Sequence, residues 1–218
     1  KLAGTGRLVI LPVDQGFEHG PDRSFAVNHE AYDPNYHYQL AIDAGLSAYA
    51  APLGMLQAGV GSFFGQIPTI LKINSSNTLA QSIDQAVTGS VDDAVKMGCS
   101  AIGFTIYPGS EQNFELIEEY KELSKEAKDK GLAVVLWAYA RGPKISKQGE
   151  TAINIISYSA HMSALLGANI IKVKLPSDFI EEDPTKAAYE KNLIKISSLK
   201  DRVAHIKKVA FEGKRIVV

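Results

Sequence analysis

Residues 167–176 read GANIIKVKLP, a glycine followed after two residues by an apolar run. The glycine closes an amphipathic stretch typical of a helix, and the apolar run is typical of a strand buried on both faces. Glycine suits this junction because a helix often ends in a left-handed residue, which glycine adopts at little cost. The same junction occurs at Gly45, Gly98, Gly131 and Gly213. The pattern predicts helices alternating with parallel strands.

Seven apolar runs fit strands of such a sheet. Five of them follow the glycines, namely SAYAAPLG, SAIGFTIYP, AVVLWAYA, NIIKVKLP and RIVV, and the other two are RLVILPVD near the start and IPTILKIN after Gln66. Helices are predicted after a cap at Ser90 and over 110–130, 151–166 and 201–211. Residues 80–86 fit neither pattern. Alternating strands and helices of this kind imply a parallel sheet covered by helices.

Two architectures fit that order, an open doubly wound sheet and a closed barrel. The open nucleotide-binding sheet needs a glycine-rich turn after its first strand, and DQGFEHGP at 14–21 is not that turn. We therefore predict an α/β fold, a (β/α)8 TIM barrel forming one domain over residues 1–218. A barrel needs eight strands. Because the sequence begins without methionine and ends on its seventh strand, we expect strand eight to lie outside it.

Composition excludes several classes of function. The chain has 218 residues, 45% of them hydrophobic, and a formal net charge of -1, so no overall field favours nucleic acid or an acidic membrane. Its single cysteine, Cys99, excludes an internal disulfide, and its apolar surroundings suggest a small buried side chain. Without a signal-like segment or a membrane-length apolar stretch, the sequence predicts a cytoplasmic protein.

Polar side chains cluster where the predicted strands end. Barrel enzymes carry their active sites at the carboxyl ends of the strands. The first strand ends with Asp14, the third offers Lys72, the fifth offers Trp137 and Tyr139, and the sixth offers Lys172 and Lys174. These positions are the candidate site.

The two lysines of the sixth strand are the sharpest signal. A lysine is almost never fully buried without purpose, because burying an unpaired charge costs several kcal/mol. An apolar barrel and a neighbouring cation would depress the lysine pKa and leave a free amine able to attack a ketone. Alternatively, Lys172 and Lys174 both lie at the barrel mouth and extend to water. Strand alternation does not choose between them.

The other candidates also allow two interpretations. The Tyr139 phenol suits proton exchange near an imine, or it is a rim aromatic. Asp14 pairs a lysine or caps the next turn. Lys72 is a second cation or a phosphate contact, and His19 in the first loop is a substrate contact. The five histidines lack the i, i+4 spacing of a helical zinc site, so no catalytic metal is predicted. The polar segment 176–198 is predicted to form part of the active-site rim or an oligomer contact.

Five motifs carry a family resemblance. They are VDQGFEHGP at 13–21, TGSVDDA at 88–94, TIYPGSE at 105–111, LWAYARG at 136–142 and GANIIKVK at 167–174. In this order they resemble the archaeal-type class I fructose-1,6-bisphosphate aldolases. The resemblance runs from residue 7 to residue 218, and the loop PKISKQGE suggests the bacterial branch.

That resemblance implies a lyase that cleaves a sugar phosphate through a lysine Schiff base, without metal or organic cofactor. It assigns the Schiff base to Lys172, proton transfer to Tyr139, an acidic role to Asp14 and substrate lining to Trp137. It places the phosphate-binding residues after strands seven and eight. It also implies a homo-oligomer acting in glycolysis and gluconeogenesis. Open alternatives are a related aldolase or transaldolase-like enzyme for another phosphorylated ketose, and a non-covalent barrel isomerase or metabolite-binding protein.

Overall fold

A computed structural model describes residues 5–218 of the chain. The residue contacts divide the chain into two compact units. One unit runs up to Phe104 and includes Glu122–Val134, and the other comprises Thr105–Lys121 and Val135–Val218. Two strands and one helix contribute residues to both units.

The seven predicted strands are all present. Parallel pairing gives the hydrogen-bonded order β1-β2-β3-β6-β7-β8-β9. These strands are β1 (Ile10–Pro12), β2 (Ala48–Pro52), β3 (Thr69–Lys72), β6 (Ala101–Ile106), β7 (Ala133–Ala138), β8 (Ile170–Lys172) and β9 (Ile216–Val217). Two further short strands, β4 (Asn74–Ser75) and β5 (Ala86–Val87), form a separate antiparallel pair. That pair was not predicted, because strands of two residues leave no periodic signal.

Helices follow most of the strands. They are α1 (Gln15–His19), α2 (Pro21–Phe25), α3 (Pro34–Asp43), α4 (Leu53–Phe63), α5 (Val91–Lys96), α6 (Asn113–Asp129), α7 (Ile153–Leu165), α8 (Asp183–Lys191) and α9 (Leu199–Val209). Short 3-10 helices span His29–Tyr32 and Gly149–Thr151. The segment 176–198, which the sequence suggested was an irregular polar excursion, contains α8. In the described part of the chain, no helix has the length and apolar character needed to cross a membrane.

The glycine junctions behave as predicted. Each of the five glycines has a positive φ, between 62° and 83°. A left-handed residue at this point reverses the chain, and the next strand begins within a few residues. The predicted start of α5 is also confirmed. Ser90 Oγ accepts from the Asp93 amide at 3.0 Å, and the Asp93 carboxylate accepts from the Ser90 amide at 3.0 Å. Such a cap contributes about 1 kcal/mol to helix stability.

In the first unit, β1, β2 and β3 pair in parallel, and β3 pairs with β6. The fully buried side chains Tyr49, Leu71 and Ile102 form its core, and Cys99 is buried as predicted. In the second unit, the Tyr139 amide donates to the carbonyl of Ile106 at 3.1 Å and so continues the pairing of β7 with β6. The ends of β7 and β8, which lead to Tyr139 and Lys172, are thus held by backbone hydrogen bonds to neighbouring strands.

Candidate active site

Lys172 is the last residue of β8 and lies in register with Trp137 of β7. Its side chain is half-buried, whereas the indole of Trp137 is buried. The Lys172 Nζ lies 5.8 Å from the centroid of the Trp137 ring and 5.6 Å from the centroid of the Tyr139 ring. Both distances fall within the range of about 6 Å at which an aromatic face attracts a cation. The amine is therefore held between two rings at the end of its strand.

The two rings face Lys172 because they are two residues apart in an extended segment. Side chains at that spacing point to the same side of a strand. The Tyr139 backbone is anchored to β6 through its bond to Ile106. The structure thus places two aromatic rings beside the Lys172 amine. The Lys172 side chain is half-buried, and its role as a reacting amine stays a prediction.

Lys174 does not share the position of Lys172. The sequence placed both lysines on one strand, but β8 ends at Lys172, so Lys174 lies beyond it. The Lys174 Nζ is 2.7 Å from Glu150 Oε2, and Lys147 approaches Glu150 Oε1 at 2.9 Å. The positive charge of Lys174 is thus offset by a carboxylate. The bare pair of neighbouring ammonium groups that the sequence suggested does not form.

The neighbouring lysines change the pKa of the Glu150 carboxyl group. Burial raises the pKa of its carboxyl group, but the hydrogen bonds from Lys174 and Lys147 outweigh burial and lower it below its usual range. The side chain of Glu150 is only 15% exposed, so its ionised form depends on the two lysines. This role could not be predicted, because Glu150 belongs to a polar stretch that contains other charged residues.

Asp14 lies at the carboxyl end of β1, directly after the buried Val13. Its backbone oxygen accepts from the amides of Phe17 and Glu18, both at 3.0 Å, and so starts α1. In the region the structure describes, its carboxylate makes no capping hydrogen bond to that helix. The side-chain cap considered from the sequence is therefore absent, and the catalytic role of Asp14 remains a prediction.

His19 ends α1, and its side chain is 41% exposed. Its Nε2 lies 3.8 Å from Glu18 Oε2. It lines a cavity of about 490 Å³ within the first unit, together with Arg23 and His37. Contact with a substrate remains a prediction for His19.

Lys72 ends β3 and is 2% exposed. Its ammonium donates to the backbone oxygen of Asn74, to Asn74 Oδ1 at 3.3 Å and to Gln85 Oε1 at 3.4 Å. Asn74 and Gln85 are themselves buried. Because these acceptors satisfy the hydrogen-bonding needs of the buried ammonium, they favour a structural role for Lys72. The sequence had suggested a substrate contact. Among residues 5–218, no three His, Cys, Asp or Glu side chains are grouped so that they could hold a metal ion.

The paired state of Glu150 predicts a pH-dependent contribution to stability. A carboxyl group whose pKa is lower in the folded protein stabilises the fold above its unfolded value of about 4.5 and loses this effect as pH falls through the folded value. Glu150→Gln should therefore lower the free energy of unfolding at pH 7, and the difference from wild type should shrink below about pH 4.5. Urea denaturation across this pH range measures the difference. Glu118→Gln, at an exposed position beyond the first turn of α6, is the control and should show no such trend. A difference for Glu150→Gln that stays constant with pH would refute the pairing.

Comparisons with known proteins show the family of the chain. A family model described as DeoC/LacD family aldolase matches residues 8–210. A protein of Chlamydia muridarum, described as a probable class 1 fructose-bisphosphate aldolase, is 40% identical over 182 residues. That match covers 81% of this chain and 52% of the relative, so the chain spans about half the length of the curated relatives it matches first.

Solved structures share the fold. An archaeal fructose-1,6-bisphosphate aldolase, with its catalytic lysine covalently bound to a carbinolamine intermediate of the substrate, superposes with a TM-score of 0.72 at 30% identity. That match covers 97% of this chain and 86% of the other. A fructose-bisphosphate aldolase from Slackia heliotrinireducens superposes with a TM-score of 0.82 over 99% of this chain and 65% of the other. Because the two sequences are only 23% identical, this match supports the fold alone. These likenesses confirm the predicted barrel fold. With the family model spanning nearly all of its length, the chain belongs to the DeoC/LacD family of aldolases.

Proposed function

We propose that this protein is a class I aldolase that cleaves fructose 1,6-bisphosphate reversibly to dihydroxyacetone phosphate and glyceraldehyde 3-phosphate. The observation that carries the proposal is the Lys172 amine held between the rings of Trp137 and Tyr139. An amine fixed beside a phenol is the pair that imine chemistry requires, a nucleophile and a proton donor. Family membership and the names of the relatives support this choice of substrate.

The proposed reaction begins when the neutral Lys172 amine attacks the ketone carbon and forms a carbinolamine. Loss of water gives an iminium ion, which accepts the electron pair of the C3–C4 bond when that bond breaks. Removal of the C4 hydroxyl proton releases glyceraldehyde 3-phosphate. Protonation of the remaining enamine at C3 and hydrolysis of the imine then release dihydroxyacetone phosphate and the free lysine. The electron sink is the protein's own lysine.

The candidate residues other than Lys72 have parts in this scheme. Tyr139 supplies and removes protons at the carbinolamine and at the C4 hydroxyl, because its ring lies beside the Lys172 amine. Trp137 forms an apolar wall against the substrate carbons. Asp14 assists dehydration of the carbinolamine. His19 and Lys174 are held as substrate contacts, although Lys174 would have to share its charge with Glu150.

The wider assignments belong to the same proposal. We place the protein in the cytoplasm, in glycolysis and gluconeogenesis, as a homo-oligomer with a phosphorylated ketose as its small-molecule partner. The single cysteine, Cys99, is buried and free, which suits a reducing compartment. The polar segment 176–198 with helix α8 offers a surface for contacts between copies.

Trapping the imine tests which lysine reacts. Sodium borohydride added with fructose 1,6-bisphosphate to the full-length protein should reduce the iminium and leave a stable adduct on Lys172. Peptide mass spectrometry locates the adduct. Lys172→Met should abolish trapping, whereas Lys174→Met, the control, should retain it. An adduct on Lys174 would overturn the assignment, and the absence of any adduct on wild type would favour a non-covalent isomerase or a binding protein.

Removing the phenol hydroxyl tests the proton donor. Tyr139→Phe keeps the ring against Lys172 but should lower kcat by about 100-fold or more, since general acid–base catalysis contributes that much. Steady-state cleavage of fructose 1,6-bisphosphate measures the effect. Tyr158→Phe, at an exposed position on α7, is the control and should leave kcat unchanged. Wild-type turnover by Tyr139→Phe would remove this residue from the mechanism.

A further inference from the structure

Two loops leave the candidate active site side by side. The tyrosine loop, residues 139–152, follows β7, and the lysine loop, residues 173–182, follows β8. Glu181 of the lysine loop joins them. Its Oε1 accepts from the Ser146 amide at 2.7 Å, and its Oε2 accepts from Ser146 Oγ at 2.8 Å. Hydrogen bonds to a carboxylate are stronger than those between neutral groups, so this is a firm tie between the loops.

On the side of the tyrosine loop, the Glu181 carboxylate is closely packed against Ser146 and Gly149. Ser146 Oγ also accepts from the Gly149 amide at 2.9 Å. Gly149 is buried, and a Cβ at this position would lie 2.5 Å from Glu181 Oε2. The carboxylate therefore occupies the space that any larger residue at position 149 would need. A larger residue at position 149 would displace the Glu181 carboxylate from its place beside Ser146.

The tie is anchored on its other side to α7. The Glu181 amide donates to Asn154 Oδ1 at 2.9 Å, and Asn154 is a buried residue in the first turn of that helix. The Ser177 amide donates to the backbone oxygen of Thr151 at 2.7 Å and adds a second link between the loops. Glu181 is thus fixed through both its backbone and its side chain.

The loops also hold the neighbours of the proposed reacting residues. Phe179 of the lysine loop packs against a buried cluster formed by Ala140, the residue after Tyr139, with Ala152 and Ile155. Glu150 of the tyrosine loop holds Lys174, two residues after Lys172. Each loop therefore contacts the segment that leads to the reacting side chain beside the other loop. The hydrogen bonds between Glu181 and Ser146 keep the two loops together.

We propose that Glu181 is a positioning residue that sets the approach of Tyr139 to Lys172 by tying the lysine loop to the tyrosine loop. This inference rests on the aldolase function proposed above. Glu181 touches neither reacting side chain in any contact described here and acts through Ser146. The physical reason is that proton transfer depends steeply on distance, so a small misplacement of the phenol costs much of the rate.

Steady-state kinetics of the full-length protein test the proposal. Glu181→Ala removes both acceptors and should lower kcat by about tenfold or more, because a shift of about 1 Å costs up to about 100-fold. KM should change little, since the tie does not form the substrate pocket. Glu181→Gln keeps one oxygen for the Ser146 amide and should recover most of the lost kcat. Ser146→Ala removes only the hydroxyl half of the tie and should give a smaller loss than Glu181→Ala.

Asp178→Asn is the matched control. Asp178 lies in the same loop, loses the same charge and is exposed, so this variant should keep the wild-type kcat and KM. Hydrogen exchange supplies a second measurement that does not depend on turnover. The amides of Ser146 and Gly149 should exchange faster in Glu181→Ala than in wild type or in Asp178→Asn.

The outcomes separate this inference from the function on which it rests. If borohydride traps wild type on Lys172 but Glu181→Ala keeps the wild-type kcat, the positioning role is wrong and the aldolase function stands. If wild type is not trapped, the aldolase function is wrong and the positioning role falls with it, whatever the exchange rates show. If Glu181→Ala does not fold, Glu181→Gln and Ser146→Ala carry the test, and wild-type kcat in both would overturn the proposal.

Discussion

The contact between the Lys172 amine and the faces of two aromatic rings is the feature on which the proposed chemistry depends. A lysine at the end of a buried strand needs a partner, and here Trp137 and Tyr139 provide one without a full negative charge. Aromatic faces attract the ammonium form weakly compared with a carboxylate. The contact keeps the amine at the end of its strand beside the ring of Tyr139, whose phenol the proposed reaction uses as its proton donor.

Lys172 and Lys174 have different neighbours. Lys174 is paired with Glu150, which also binds Lys147, so the acidic side chain of this loop is engaged away from Lys172. The sequence showed two equivalent lysines, whereas the fold gives one a carboxylate and the other a pair of rings. Under the proposed function Lys172 is the nucleophile, and the ion pair with Glu150 anchors Lys174 to the tyrosine loop. It also links the conformation of the tyrosine loop to the strand that carries the nucleophile.

Much of the fold could be predicted because its signals are local. A glycine at a helix end and an apolar run soon after it revealed five of the seven strands, and apolar runs alone revealed the other two. The spacing of Trp137 and Tyr139 likewise predicted that their rings share one side. Contacts between distant segments left no such signal. Gln85 beneath Lys72, Glu150 beside Lys174 and Glu181 on Ser146 are partners that only the folded chain brings together. Helix α8 was missed because most of its residues are charged or polar and only Tyr189 among them is buried.

A crystal structure of the full-length protein soaked with fructose 1,6-bisphosphate tests the central claim most directly. The account predicts continuous electron density from Lys172 Nζ to the former ketone carbon, with the Tyr139 hydroxyl within about 3.2 Å of the reacting atoms. Density that joins the sugar to another lysine would contradict the account. So would a bound substrate with no covalent link and with the Lys172 side chain turned away from both rings.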